Sequence, residues 1–151
     1  MLLTVMALLM SVASPDETHQ QGVDLYKQQK YSDAIAVLEQ AVKTEKPDSA
    51  DYKESVLLIG QSYFMLSQAP KAIPWLEKVQ SVNEANYMLG YAYLQSAQQD
   101  QSEAAFARLF GLRPDSAAGH LLAAQMMLKK EYEDQAVVEV NKALALDPKL
   151  P

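Results

Sequence analysis

Side chains that could act as acids, bases, nucleophiles or metal ligands are sparse in this sequence. It contains two histidines, His19 and His120, which lie near opposite ends of the chain. It contains no cysteine, which excludes disulfides, thiolate metal sites and a cysteine nucleophile. Catalysis needs titratable or nucleophilic groups that converge on one point. We interpret the two histidines as solvated surface groups near the starts of helices, too distant from each other to share a metal ion.

The motifs that mark common active sites do not occur in the chain. There is no phosphate-binding Gly-x-x-x-x-Gly-Lys loop, no Gly-x-Gly-x-x-Gly, no His-Glu-x-x-His and no Gly-x-Ser-x-Gly. The carboxylate pairs Asp33 with Glu39 and Glu131 with Asp134 are expected at helix starts or outer faces, where they offset the helix dipole and aid solubility. We therefore predict that the chain is not an enzyme and carries no catalytic residue, cofactor or metal ion.

The length and net charge of the chain exclude some classes of binding partner. The chain has 151 residues, of which 49% are hydrophobic, and this composition suits one globular or solenoid domain. Its formal net charge is −6. Because binding to a phosphate backbone rests on clustered lysine and arginine, nucleic acid is not expected as a partner. A small-molecule substrate is not expected either.

The clearest structural pattern runs from Asn83 to Pro114. Leu89, Gly90 and Tyr93 fall within two turns on one side of a predicted helix, and a second amphipathic run with Phe106 follows a polar break. A glycine in mid-helix costs roughly 1 kcal/mol relative to alanine, so it usually marks a close approach of another backbone. The stretch therefore predicts two short antiparallel helices that meet at the glycine.

The same arrangement returns along the chain at intervals of about 34 residues. In the other copies Gly22 precedes Ala34 and Leu38, Gly60 precedes Ala72 and Leu76, and Ala123 precedes Ala136 and Val140. Together with the stretches 30–35 and 141–148, this pattern resembles the tetratricopeptide repeat. The resemblance implies an all-α, right-handed superhelical solenoid of four antiparallel helix-turn-helix repeats. Their approximate ranges are 15–47, 51–82, 83–114 and 115–148.

Some positions depart from the family pattern. Ser102 stands where alanine is usual, and Asn86 and Thr18 stand where a large apolar residue is usual. Pro74 lies inside the second helix of repeat two, near enough to its start that about one backbone hydrogen bond is lost. We expect an irregular superhelix.

Residues 1–13 form an apolar leader without a charged side chain. As a helix they would span about 20 Å, which is short of a hydrocarbon core of about 30 Å. They fit the core of a secretory signal peptide, with Ser11-Val12-Ala13 as a small-x-small cleavage site. The alternative is an apolar first helix packed on the solenoid. We expect an exported, periplasmic or membrane-tethered protein in a bacterium-like cell, and a cytoplasmic one if the alternative holds.

The start of the first repeat favours export. Glu17, Gln21 and Asp24 begin a polar stripe along its first helix, which leaves no apolar surface for the leader to cover. Ser14 as N-cap, Pro15 at the first helical position and Glu17 form a capping box. We predict that the solenoid domain spans residues 14–148.

The last predicted helix is apolar over a wide arc, which is typical of a buried rather than a terminal helix. Its apolar residues are Val137, Val138, Val140, Ala143, Leu144 and Leu146. This pattern indicates either a fragment of a longer array or an end that meets a partner. The chain is then the regulatory or substrate-presenting part of a larger enzyme, or a self-assembling component of an envelope complex.

The family resemblance further implies a concave groove lined by fixed positions of each first helix. These positions give the predicted binding residues Tyr26, Lys27, Gln61, Met65, Tyr87, Tyr91, Gln95 and His120. Aromatic and methionine side chains interleaved with amides suit a protein or peptide that offers apolar side chains. The basic clamp by which some family members hold a C-terminal carboxylate is missing apart from Lys27. We therefore predict a non-catalytic protein-protein interaction scaffold.

Overall fold

The computed structural model describes residues 14–150, and within that range the regular secondary structure is entirely helical. The helices are α1 Pro15–Lys27, α2 Tyr31–Ala41, α3 Ala50–Met65, α4 Ala69–Leu76, α5 Asn83–Gln95, α6 Gln99–Leu109, α7 Ala117–Leu128 and α8 Glu133–Leu146, with a short 3-10 helix Glu77–Val79 after α4. Consecutive helices pair into four hairpins, α1 with α2 through α7 with α8. The predicted all-α solenoid of four repeats is confirmed.

The start of α1 follows the sequence prediction. The Ser14 hydroxyl accepts a hydrogen bond from the Glu17 amide at 3.2 Å, and the Glu17 carboxylate accepts one from the Ser14 amide at 2.8 Å. This reciprocal pair is the predicted capping box, which satisfies two amides that the helix leaves free. Serine also caps the first helix of two later repeats, at Ser49 and Ser116.

The turn inside each repeat has one repeated geometry. One residue of each turn lies in the left-handed region, at φ 55° to 64°, and none of these residues is glycine: Gln29, Ser67, Ala97 and Glu131. The residue after it donates its amide to the carbonyl five residues back, as Gln98 does to Tyr93 at 2.8 Å. This is the Schellman ending of a helix. It sets the same reversal between the two helices of every hairpin.

The core is a row of three clusters, each at the contact between neighbouring repeats. The first joins repeats one and two around Leu38 and Ile59, the second joins repeats two and three around Leu76 and Leu89, and the third joins repeats three and four. The third cluster is centred on Phe106. The substantial contacts between helices lie within a repeat or between adjacent repeats. The chain therefore stacks as a solenoid without a shared centre.

Small residues stand where helices of one hairpin cross. A Cβ atom built on Gly90 would overlap the ring of Phe106, and one built on Gly60 would overlap the side chain of Leu76. Ala123, at the same position of repeat four, is fully buried. The predicted close approach at these positions is confirmed.

The departures from the repeat pattern are accommodated in different ways. Ser102 is fully buried, and its hydroxyl has no hydrogen-bond partner among the described residues. Asn86 is buried and donates its amide to the Gln80 carbonyl at 2.6 Å, while its oxygen accepts from Arg108 at 3.2 Å. Pro74 lies on the exposed side of α4, which ends two residues later and continues as the 3-10 helix.

The apolar leader, residues 1–13, lies outside the described residues, so the expectation of export stays a prediction. Within residues 14–150 none of the helices combines the length and the apolar content that a membrane crossing needs.

Candidate functional site

The structure distributes the eight predicted groove residues between surface and interior. Met65 is 51% exposed and Tyr87 39% exposed. Lys27 and Gln95 are exposed as well, and Tyr26 is half-buried against the edge of the Tyr31 ring. The remaining three are buried: Gln61, Tyr91 and His120.

Three of the predicted residues come together in one depression, which we call the groove pocket. It has a volume of about 330 Å³ and is lined by Phe64, Tyr87, Tyr91, Gln95, Lys130 and Tyr132. The Tyr87 and Tyr91 rings meet edge to face with centroids 5.1 Å apart. The pocket thus has aromatic walls together with one amide and one ammonium group. Such a site suits a ligand that has an apolar side chain with polar groups next to it.

Tyr91 forms the floor of the groove pocket and is not a free contact residue. It is 3% exposed and donates its hydroxyl to the main-chain carbonyl of Met126 at 2.8 Å. Its ring also packs edge to face on Phe106 with centroids 5.0 Å apart. Burial, followed by the neighbouring hydroxyl of Tyr87, raises the pKa of Tyr91 to about 12. The sequence analysis placed Tyr91 among the groove contacts, and the packing of repeat four against repeat three buries it.

Gln61 lies in a second depression at the other side of Tyr87. This depression has a volume of about 290 Å³, and Met88 and Leu109 also line it. Tyr87 therefore separates two hollows and stands exposed between them. Lys27 and Tyr26 lie in the first repeat and line neither hollow.

His120 does not belong to the groove, and its predicted solvation is wrong. Its ring is buried between helices, with Nδ1 at 2.8 Å from Glu139 Oε2 and 3.2 Å from Glu103 Oε1. These glutamates come from α8 and α6, so three helices supply the group. We call Glu103, His120, Glu139 and Lys142 the buried ion cluster. The histidine is buried because α6 and α8 both pack against α7.

Lys142 and Gln99 complete the surroundings of the two carboxylates. The Lys142 ammonium lies 3.1 Å from Glu103 Oε2 and 3.0 Å from Glu139 Oε1, and the Gln99 amide donates to Glu139 Oε1 at 2.7 Å. Burial alone would raise the pKa of Glu139, but hydrogen bonds from His120, Gln99 and Lys142 outweigh it and lower that pKa. For Glu103 burial dominates and raises the pKa. Glu139 therefore binds a proton less readily than an ordinary glutamate, and Glu103 binds one more readily.

His19, at the matching position of repeat one, is also buried, contrary to the sequence expectation. Its Nδ1 lies 2.9 Å from both Glu45 Oε1 and the Ser55 hydroxyl, whereas Nε2 lies 3.2 Å from Glu54 Oε2. The two carboxylates therefore bind opposite edges of the ring. This histidine ties repeat one to repeat two.

Sequence reasoning missed two groups of residues. Lys130 and Tyr132 reach the groove pocket from the turn of repeat four, where one extra residue in the spacing was the available signal. Glu103 and Glu139 had no such signal, because glutamates on a helix are ordinary surface residues and their convergence on His120 depends on packing.

Comparisons with known proteins agree with this architecture. Models described as tetratricopeptide repeat match residues 19–86 and residues 83–116. No curated protein matches the chain in sequence. A solved structure titled MamA 41-end from Desulfovibrio magneticus RS-1 has a TM-score of 0.62 and 23% identity, and covers 89% of this chain and 76% of its own.

Two further solved structures give the same result. One titled Crystal structure of MamA protein has a TM-score of 0.63 and 21% identity, with 90% of this chain and 74% of its own covered. One titled MamA MSR-1 C2 has a TM-score of 0.60 and 20% identity, and the match covers 91% of this chain and 79% of the solved chain. At this identity the likeness concerns the fold. The repeat matches, the four stacked hairpins and the small residues at their crossings show that the chain belongs to the tetratricopeptide repeat family.

Proposed function

We propose that this chain is a non-catalytic protein-interaction scaffold that holds a peptide or protein segment in the groove around Tyr87. The observation that carries the proposal is the groove pocket itself, whose aromatic walls include the exposed side chain of Tyr87. Exposed aromatic and methionine side chains around a concave pocket are typical of protein-binding surfaces. Membership of the tetratricopeptide repeat family agrees with this role.

The chemistry of the pocket describes its occupant. Phe64, Tyr87 and Tyr132 provide apolar faces on which an aliphatic or aromatic side chain can be buried. Gln95 can donate to and accept from a peptide backbone, and Lys130 favours a carboxylate beside the apolar side chain. We therefore propose an extended segment with an apolar anchor residue and an acidic neighbour.

Selection from a phage-displayed library of random peptides tests this proposal. The expected result is enrichment of peptides that carry an apolar residue next to an acidic one. Tyr87→Ala should weaken binding of a selected peptide at least about tenfold, since a buried aromatic contact at an interface is commonly worth more than 1 kcal/mol. Phe110→Ala is the matched control, because Phe110 is an exposed aromatic residue that does not line the pocket.

The outcomes separate the groove from other surfaces. Equal affinity of wild type and Tyr87→Ala would overturn the groove as the binding site. A loss of the same size in Phe110→Ala would place binding elsewhere on the chain. Circular dichroism of both variants should match wild type, because both side chains are exposed.

A second candidate function is self-association through α8. Val137, Val138, Leu144 and Leu146 are exposed on this helix, and a cluster of exposed large apolar side chains commonly marks an interaction surface. We propose a second copy of the chain as that partner, since one apolar face can pair with its own copy about a twofold axis. Sedimentation at several concentrations should show dimers that Val138→Lys dissociates. A monomer at every concentration would exclude this candidate.

Export remains the proposal for residues 1–13. Their apolar composition and the capping box that starts the domain at Ser14 support it. Expression in a bacterial host followed by N-terminal sequencing tests it. The expected mature chain begins at Ser14, and a chain that retains its leader in the cytoplasm would contradict the proposal.

A further inference from the structure

Three ligand atoms of the buried ion cluster converge from three helices. One atom each of Glu103, His120 and Glu139 lie within 4.8 Å of one another, and all three residues are buried. Glu139 is fully buried although it is a carboxylate, and carboxylates are rarely buried unless a cation or hydrogen bonds hold them. We propose that these three residues bind a divalent transition-metal ion, with Zn²⁺ as the best match.

The distances agree with a metal ion of this size. Zn²⁺ binds nitrogen and oxygen at about 2.0–2.2 Å, so neighbouring ligands in a tetrahedral site lie about 3.3 Å apart. His120 Nδ1 lies 2.8 Å from Glu139 Oε2 and 3.2 Å from Glu103 Oε1. The two carboxylate oxygens lie within 4.8 Å of each other, so metal binding needs only side-chain adjustments that widen the contacts with His120 and bring the carboxylates to the same spacing.

The chemical types of the three ligands favour some cations over others. One imidazole and two carboxylates form a mixed nitrogen and oxygen set, which suits Zn²⁺ and related transition metals. Ca²⁺ needs six to eight oxygen ligands, and Mg²⁺ prefers six in octahedral order. Three protein ligands also leave a position for water. A hollow of about 590 Å³ supplies it, since Glu103, His120 and Lys142 line this hollow and it opens to solvent.

Other residues of the cluster hold the ligands in place. Gln99 donates to Glu139 Oε1, which is the oxygen that faces away from His120. Lys142 binds Glu103 Oε2 and Glu139 Oε1, again the oxygens that face away from the imidazole. Such outer contacts orient metal ligands in known sites. The oxygens nearest His120 remain directed at Nδ1.

Lys142 also opposes the metal ion by its charge. Its ammonium group neutralises one of the two carboxylates, and like charges in a partly buried site repel strongly. The Lys142 side chain is 36% exposed, so the ammonium can move into solvent when a metal ion enters. The site therefore binds metal weakly while Lys142 is in place, and removal of this charge should strengthen binding.

His19 provides a comparison within the same chain. It is buried between Glu45 and Glu54, yet these carboxylates approach Nδ1 and Nε2 from opposite edges of the ring. A single ion cannot contact both. Among the described residues, the group around His120 is the one whose ligand atoms converge.

Titration of the purified chain with zinc chloride in a calorimeter tests the proposal. Wild type should bind one ion, and Lys142→Met should bind it at least tenfold more tightly. His120→Gln and Glu139→Gln should lose this site, whereas His19→Gln should keep it. Magnesium chloride and calcium chloride should give no comparable heat at the same concentrations.

A spectroscopic readout protects the test against variants that fail to fold. In Lys142→Met, Co²⁺ should produce the visible absorption bands of a low-coordinate site, and Zn²⁺ should shift the imidazole nitrogen signals of His120 but not those of His19. Absence of a single site in both wild type and Lys142→Met would overturn the proposal. So would equal binding by His120→Gln that retains native circular dichroism, or a shift confined to His19.

Discussion

The Tyr91 hydroxyl in repeat three donates to the main-chain carbonyl of Met126 in repeat four across 2.8 Å. Met126 lies in the last turn of α7, where the amide of Lys130 bonds to the Met127 carbonyl instead. The Tyr91 hydroxyl therefore donates to a carbonyl that has no amide partner at the end of the helix. The floor of the groove pocket is thus part of the contact between two repeats. Ligand binding there and the stacking of repeat four are structurally linked.

Tyr91→Phe should lower the free energy of unfolding by about 1–2 kcal/mol, because the buried Met126 carbonyl loses its partner while the ring packing stays. Urea denaturation followed by circular dichroism measures the change. Tyr52→Phe is the control, since Tyr52 is half-buried and its hydroxyl makes no hydrogen bond within the described residues. A change in Tyr52→Phe as large as in Tyr91→Phe would contradict this account.

Stability should fall as pH rises above 10. Burial raises the pKa of Tyr91 to about 12 from its ordinary value of 10.0. Burial, followed by the hydrogen bond to Glu77, also raises the pKa of Tyr93. Between pH 10 and about pH 12 the folded chain keeps the Tyr91 proton that the unfolded chain has released, so rising pH favours unfolding. Thermal melts from pH 9 to pH 12 should show a steeper loss for wild type than for Tyr91→Phe. Equal slopes would argue against burial of this hydroxyl.

Gly90→Ala should lower stability by about 1–3 kcal/mol, because the added methyl group overlaps the Phe106 ring in a packed interface. Phe106→Leu should cost stability by itself, yet the double variant should be more stable than the sum of both losses implies. Chemical denaturation of the four chains measures this coupling. Strict additivity would show that the glycine and the ring do not meet.

Ala97→Gly should raise stability by up to about 1 kcal/mol, because Ala97 has φ 55° and the left-handed region costs an L-residue more than it costs glycine. Ala104→Gly is the matched control in the middle of α6, where glycine should lower stability by about 0.5–1 kcal/mol. Melting temperatures of the two variants should move in opposite directions. A decrease in both would show that the turn does not depend on the backbone preference of Ala97.

Much of the groove could be predicted from residue positions, and the remainder depended on neighbours. Lys27, Met65 and Gln95 were placed on the surface correctly, because the position five residues after the crossing glycine is exposed in each of their repeats. Tyr91 and His120 were not, because their exposure depends on how closely the next repeat packs. Lys130 enters the pocket through a turn that follows the repeat pattern only loosely.

The sequence by itself determined the features that depend on residues close together in the chain. The capping box at Ser14 joins residues three positions apart, and the small residues at helix crossings recur with the repeat period. Tertiary structure decided the buried ion cluster and the depth of the groove pocket. His120 meets Glu139 from 19 residues away and Tyr91 meets Met126 from 35 residues away. Contacts of that kind depend on the angle and spacing at which whole helices stack, and no local pattern of residues encodes those two quantities.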